Sequence, residues 1–217
     1  MDPADAAHLR DLLSAARLGE YELAAGGEPD IAFRLHCWNT ELAAAFYGPL
    51  QYLEIAVRNA LHRQMAGIFQ RDDWWDHPDA DLNSVAMAKI RDAKAVVMRT
   101  RASVPPDCVV AELVFGFWVS LLTSGGRHNY ERRFWRPALC RAFPGFRGRR
   151  RDLHSDLDYL RVLRNRIAHH RPIYHRHLRA DHDTLLRTLD YVSPALAAWV
   201  EAHSPVPEVL SRRPLIR

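Results

Sequence analysis

The sequence predicts an all-α protein, a compact bundle of about seven or eight helices. Three observations carry that expectation. Apolar residues recur at three- and four-residue spacing along most of the 217 residues, the period of helices that each bury one face. No short stretch alternates apolar and polar side chains as a half-buried strand does. No unit of about 20–50 residues repeats, which argues against a solenoid. Hydrophobic residues make up 48% and charged residues 26%, ordinary for a chain that builds its own core.

Asp2-Pro3 suits the start of a first helix, and Leu9, Leu12, Leu13 and Ala16 then share a face. Gly19 and Gly26-Gly27 loosen the chain beyond that face. Asp30 is placed to cap a second helix carrying Ile31, Phe33, Leu35, Trp38 and Leu42. Gly48-Pro49 is expected to end it and open a third, with Leu50, Leu53, Val57, Leu61, Met65 and Ile68 on one side. Asp72 to Pro78 reads as a loop anchored by Trp74 and Trp75, and Asn83-Ser84 opens a fourth helix reaching Met98. Pro105-Pro106-Asp107 punctuates the chain. The apolar run Cys108–Leu122 reads as a buried fifth helix ended by Gly125-Gly126, with Phe115, Phe117 and Trp118 in the core. A sixth is expected from Asn129 to Ala142. A seventh carries Leu153, Leu157, Leu160, Leu163 and Ile167 and stops at Pro172, and a last runs from Asp183 to His203. This divides one domain into a helical arm (1–28), a core (29–203) and a Pro-rich tail (204–217).

Net charge is +4, but it is unevenly spread. From Arg127 to Arg179 there are 15 arginines against Glu131, Asp152, Asp156 and Asp158. That segment carries +11 and leaves −7 for the remainder. Such a basic block fits a phosphate-bearing partner, and equally a solvated arginine-rich face. Cys37, Cys108 and Cys140 have no disulfide or zinc spacing and read as buried free thiols. The acidic N-terminus lacks an apolar leader, and Cys108–Leu122 is too short to span a bilayer, so a cytoplasmic location is expected.

The chemistry concentrates in Arg164-Asn165-Arg166-Ile167-Ala168-His169. Asn165 and His169, four apart, lie on nearly one helix face, while Arg164 is about 140° round from His169. Unpaired carbonyls at the helix end favour a charged imidazole and the surrounding arginines oppose it, so the sign of any shift is open. An arginine, an amide and a histidine suffice for RNA cleavage by its own 2′-OH without a metal or other cofactor. The histidine moves the proton and the arginine holds the phosphate. Glu54 and Arg58 are four apart and able to pair. With Asn59 and His170 they form either an auxiliary polar shell or a structural ion pair. Arg147, Arg149, Arg150, Arg151, Arg161, Arg166 and Arg171 are candidates for backbone contacts with RNA. His169, His170, His175 and His177 fit no zinc spacing, and no metal site is expected.

The Arg-Asn-x-x-x-His string resembles the RxxxxH motif of the HEPN superfamily. Together with Tyr52–Leu61, Glu112–Leu122 and Leu163–Ile173, in that order, it is similar to the Abi-like (abortive infection) branch. The resemblance implies a helical bundle, often a homodimer with the motif near the interface. It also implies metal-independent endoribonuclease activity in phage defence or a toxin–antitoxin pair, with an antitoxin protein or small RNA as further partner. Arg164 and His169 would be catalytic, with Asn165 orienting the histidine or the phosphate. A HEPN-like module that holds RNA without cutting it, and a basic face that docks an acidic protein, are the rival readings.

Overall fold

The structure, a computed structural model, describes residues 2–214. These residues form an all-α fold with no strand among them. They contain ten α-helices: α1 (Pro3–Leu13), α2 (Ala15–Ala24), α3 (Pro29–Phe69), α4 (Ser84–Thr100), α5 (Pro106–Glu112), α6 (Phe115–Ser120), α7 (Arg150–Ala168), α8 (Leu178–Val192), α9 (Pro194–His203) and α10 (Val206–Ser211).

The expected second and third helices are one. α3 runs for 41 residues with Pro49 inside it, a rod of roughly 60 Å at about 1.5 Å per residue. Proline removes one ladder bond and crowds the residue before it, through that residue's Cβ above all. Here that residue is Gly48, which has no Cβ. Burial of Phe46, Pro49, Leu50 and Leu53 offsets the lost bond, so packing overrides the local stop signal. The N-cap of this helix is Glu28, with Pro29 in the first turn, rather than Asp30. α2, α6, α7, α8 and α10 all pack against α3, making it the spine of the core.

Other boundaries also differ from expectation. α1 is capped by the Asp2 carboxylate, as the sequence suggests, but its leucines do not find a core: Leu12 is 68% exposed. Ser14, with φ 71, separates α1 from α2, which continues through Gly19 and buries Leu18 and Tyr21 in their place. Cys108–Leu122 is two short helices, because Leu113 and Val114 are extended. Phe115, Phe117 and Trp118 are buried as expected. The segment expected as helix six is a π-turn (Glu131–Trp135) followed by a 3-10 turn (Leu139–Ala142), divided by Pro137. The last helix breaks at Ser193-Pro194, where the serine hydroxyl caps α9. Beyond it α10 buries Val206 and Val209, and the Trp38 indole N–H donates to the Val209 carbonyl at 2.8 Å.

Gly125 is required by its neighbour. Its φ is 68°, and a Cβ there would lie 2.5 Å from the Tyr130 ring. The close approach brings the Tyr130 hydroxyl to the Asn83 N–H at 2.8 Å, beside the Asn83 side chain that caps α4. The cysteines are less buried than expected: Cys37 is exposed, and Cys108 and Cys140 are half-buried. No helix of the described residues is long and apolar enough to cross a membrane.

Candidate functional site

α7 carries the Arg-Asn-x-x-x-His string to its C-terminal end. Leu153, Leu157, Leu160, Leu163 and Ile167 face the core and hold its other side toward solvent. The helix stops at Ala168, three residues earlier than a proline stop at Pro172 implies on its own. His169 is the C-cap, and His170 takes a left-handed conformation with φ 53. The Arg171 N–H then returns to the Arg166 carbonyl at 2.8 Å, the closure that satisfies orphan carbonyls at a helix end.

The loop after this cap is clamped from three directions. Arg166 donates twice to the Pro172 carbonyl, at 3.1 and 2.6 Å. The amide oxygen of buried Asn39, on α3, accepts from Ile173 and Tyr174 N–H at 2.8 and 3.1 Å. Arg17, on α2, donates to the His170 carbonyl at 3.0 Å, and the Tyr174 hydroxyl donates to the Glu20 carbonyl at 3.0 Å. Farther on, buried Asp181 receives both Arg176 Nε and Nη2, at 2.8 and 3.0 Å, and the Tyr159 hydroxyl. The Asp181 carboxylate pushes the Arg176 pKa up by hydrogen bonding.

Between α3 and α7 lies a cleft of about 330 Å³, lined by Tyr47, Gln51, Glu54, Ile55, Arg58, Arg164 and Ala168 among others. Arg164 Nε donates to Glu54 Oε2 at 3.2 Å. Glu54 Oε1 accepts the Phe115 N–H at 3.1 Å, which the α5–α6 break makes available. The pair is half-screened: side-chain exposure is 38% for Arg164 and 20% for Glu54. The pairing expected between Glu54 and Arg58 is absent. Glu54 is committed to Arg164, and Arg58 Nε donates instead to Asn59 Oδ1 at 3.3 Å. The two terminal nitrogens of Arg164 make no hydrogen bond among the described residues.

The structure therefore gathers Arg164, Glu54 and Arg58 around one cleft, with Asn59 beside Arg58. It does not gather everything. The His169 and His170 side chains are exposed and, among the described residues, neither imidazole hydrogen-bonds to Arg164. Asn165 is half-buried, its carbonyl accepting the His169 N–H at 3.0 Å. Arg147, Arg149 and Arg151 are exposed at the far end of α7, roughly 20 Å from Arg164 by helix rise. Arg150 is turned inward to Glu131 and the Leu122 carbonyl. Arg150 and Arg136 together hold the Glu131 carboxyl below its usual range. Arg161 bonds Asp158 at 2.7 Å, Arg166 is spent on the loop, and Arg171 is exposed. No group of three or more His, Cys, Asp or Glu among the described residues is arranged to hold a metal ion.

Asn39, Arg17 and the Phe115 N–H are not predictable from the sequence as parts of this site. Only Asn39 leaves a signal there, as the lone polar residue on the stripe Leu35, Asn39, Leu42, Phe46. Comparison with protein-family models, with characterised proteins and with solved structures gives no match, so the chemistry of the site rests on its own residues.

Proposed function

We propose that the chain is a metal-independent endoribonuclease of HEPN type, acting in abortive infection or as the toxin of a toxin–antitoxin pair. The observation that carries the reading is the Arg164–Glu54 pair: a guanidinium fixed through Nε at the wall of a cleft, its terminal nitrogens open, five residues from a solvent-facing histidine. A fixed guanidinium is suited to neutralise charge growing on phosphate oxygens, since it needs no reorganisation as the reaction proceeds. In the reaction, the 2′-OH loses its proton to a base and its oxygen bonds the adjacent phosphorus. The bond from phosphorus to the 5′-oxygen breaks, and that oxygen takes a proton. His169 serves as base or acid, Asn165 orients it, and the products are a 2′,3′-cyclic phosphate and a 5′-OH. DNA, lacking the nucleophile, is not cut.

His169 and Arg164 of one chain do not meet, so the reading includes a homodimer in which one protomer's histidine completes the other's arginine cleft. The same separation favours a second reading, a module that binds RNA without cutting it. Incubation of labelled RNA with the protein in EDTA separates the two. Cleavage persists in EDTA and falls by at least about 100-fold in His169→Ala, the usual contribution of general acid–base catalysis. Mixed Arg164→Ala and His169→Ala chains recover part of the activity if the site is shared. Binding without cleavage by the wild-type protein makes it the RNA-holding module instead.

A further inference from the structure

We propose that Lys89 of α4 and Arg161 of α7, facing each other over Gly116 of α6, form a phosphate subsite for a nucleic-acid backbone outside the Arg164 cleft. The ligand class rests on the RNA reading of the chain. The geometry stands apart from that reading.

Three helices meet at Gly116. A methyl group on its Cα would lie 3.3 Å from Arg161 Cδ and 4.0 Å from Lys89 Nζ. Both cationic side chains thus lie over a bare stretch of backbone, too close on the Arg161 side to leave room for a larger residue. Lys89 is half-buried and makes no ion pair or hydrogen bond among the described residues. Burial, followed by repulsion from Arg161, lowers the Lys89 pKa. The contrast with Lys94 is direct. Lys94, on the same helix, is held by both oxygens of Asp76 at 2.7 Å.

Arg161 has Asp158 as partner, which leaves Lys89 as the cation of this pair without a carboxylate among the described residues. A half-buried ammonium beside a guanidinium is costly without a counter-charge, and an anion placed between them removes both costs. Arginine offers a planar fork and lysine a compact point charge, a common combination on phosphate oxygens. Arg161 lies about one turn before Arg164 on α7. A chain of phosphates fits spaced cations of this kind better than a single anion does.

The test uses a fluorescent 2′-O-methyl oligoribonucleotide, which keeps the phosphates but lacks the nucleophile. Its affinity for the full-length protein is measured by anisotropy from 50 to 200 mM salt. Lys89→Ala is expected to weaken binding and to lower the slope of log affinity against log salt by about 0.7, the single-strand value, so that the affinity lost across this range shrinks by about 2.6-fold. Lys89→Arg keeps the slope, and Lys94→Ala leaves it unchanged. A melting curve for each variant confirms that the fold is intact. Binding with a wild-type slope in Lys89→Ala overturns the subsite while leaving the cleavage reading untouched. A changed slope in a protein that cuts no RNA keeps the subsite and removes the nuclease. Inorganic phosphate competing at millimolar concentration as well as the oligonucleotide does, with no salt-slope change, would show a single-anion pocket and overturn the backbone assignment.

Discussion

At the residue scale, the loop after the Arg164–His169 string is held by side chains that touch backbone. Asn39 satisfies two N–H groups that no helix ladder reaches. Replacing it by leucine keeps the branched shape and strands both donors, each worth about 1–3 kcal/mol. Asn39→Leu is therefore expected to lose about 2–6 kcal/mol, read as a lower urea midpoint with unchanged slope. Glu54 makes a different case. Its pair with Arg164 is more than a third exposed on the arginine side, so Coulomb attraction there adds little to stability, about 0–1 kcal/mol. Its value is in aiming the guanidinium. Glu54→Gln should leave the melting temperature nearly unchanged while, under the proposed reading, RNA cleavage falls by up to about 100-fold, the cost of a misplaced group. A large loss of stability with normal cleavage per folded molecule would reverse that assignment.

At the element scale, legibility in the sequence depends on how local each signal is. The helix α7 is readable because five apolar residues repeat over 19 positions, and the caps at Asp2 and Asn83 because a cap is a contact between near neighbours. The partner of Glu54 is not readable: helix spacing points to Arg58, whereas Arg164 lies 110 residues away. The α5–α6 break is hidden for the same reason, since Leu113 and Val114 differ from their helical neighbours only in what they pack against. Gly48-Pro49 is the sharpest instance, a stop signal overridden by burial. It also yields a test. A glycine inside a helix normally gains about 0.5–1 kcal/mol on change to alanine. Nothing lies within 4 Å of a Cβ at Gly48, so only the following proline ring opposes the change. Gly48→Ala is expected to give no gain with Pro49 present and the usual gain in a Pro49→Ala background. Equal effects in the two backgrounds, measured by urea unfolding, would show that the glycine is not what lets the helix pass through the proline.

At the scale of the whole molecule, the histidines divide into two populations with different consequences. His169 and His170 face solvent, available for chemistry. His36, His62, His154 and His182 are packed against the bundle, and burial is the leading cause of a lowered pKa in each. The bonding agrees at His62, whose Nδ1 accepts the Trp74 indole N–H at 3.2 Å, a bond that requires an unprotonated nitrogen. His182 lies 2.8 Å from the Ser204 hydroxyl and joins α8 to the segment before α10. Because the folded values lie below the ordinary 6.5, the unfolded chain takes up protons first on acidification. The stability held by the neutral imidazoles is thus complete above about 6.5 and drains away as pH falls through the folded values. A separate loss belongs below the ordinary carboxylate values of 3.8 and 4.5, where Asp73 and Glu131, both lowered by arginine partners, become protonated. The urea midpoint should therefore decline as pH falls below about 6.5, before the carboxylates titrate, with tryptophan fluorescence following the release of Trp74 from His62. His62→Gln retains an acceptor oxygen without a titrating ring, and it should flatten part of that decline. A midpoint that stays level or rises over the same interval would mean that these imidazoles are already charged in the folded bundle, and the division between packed and solvent-facing histidines would lose its consequence for stability.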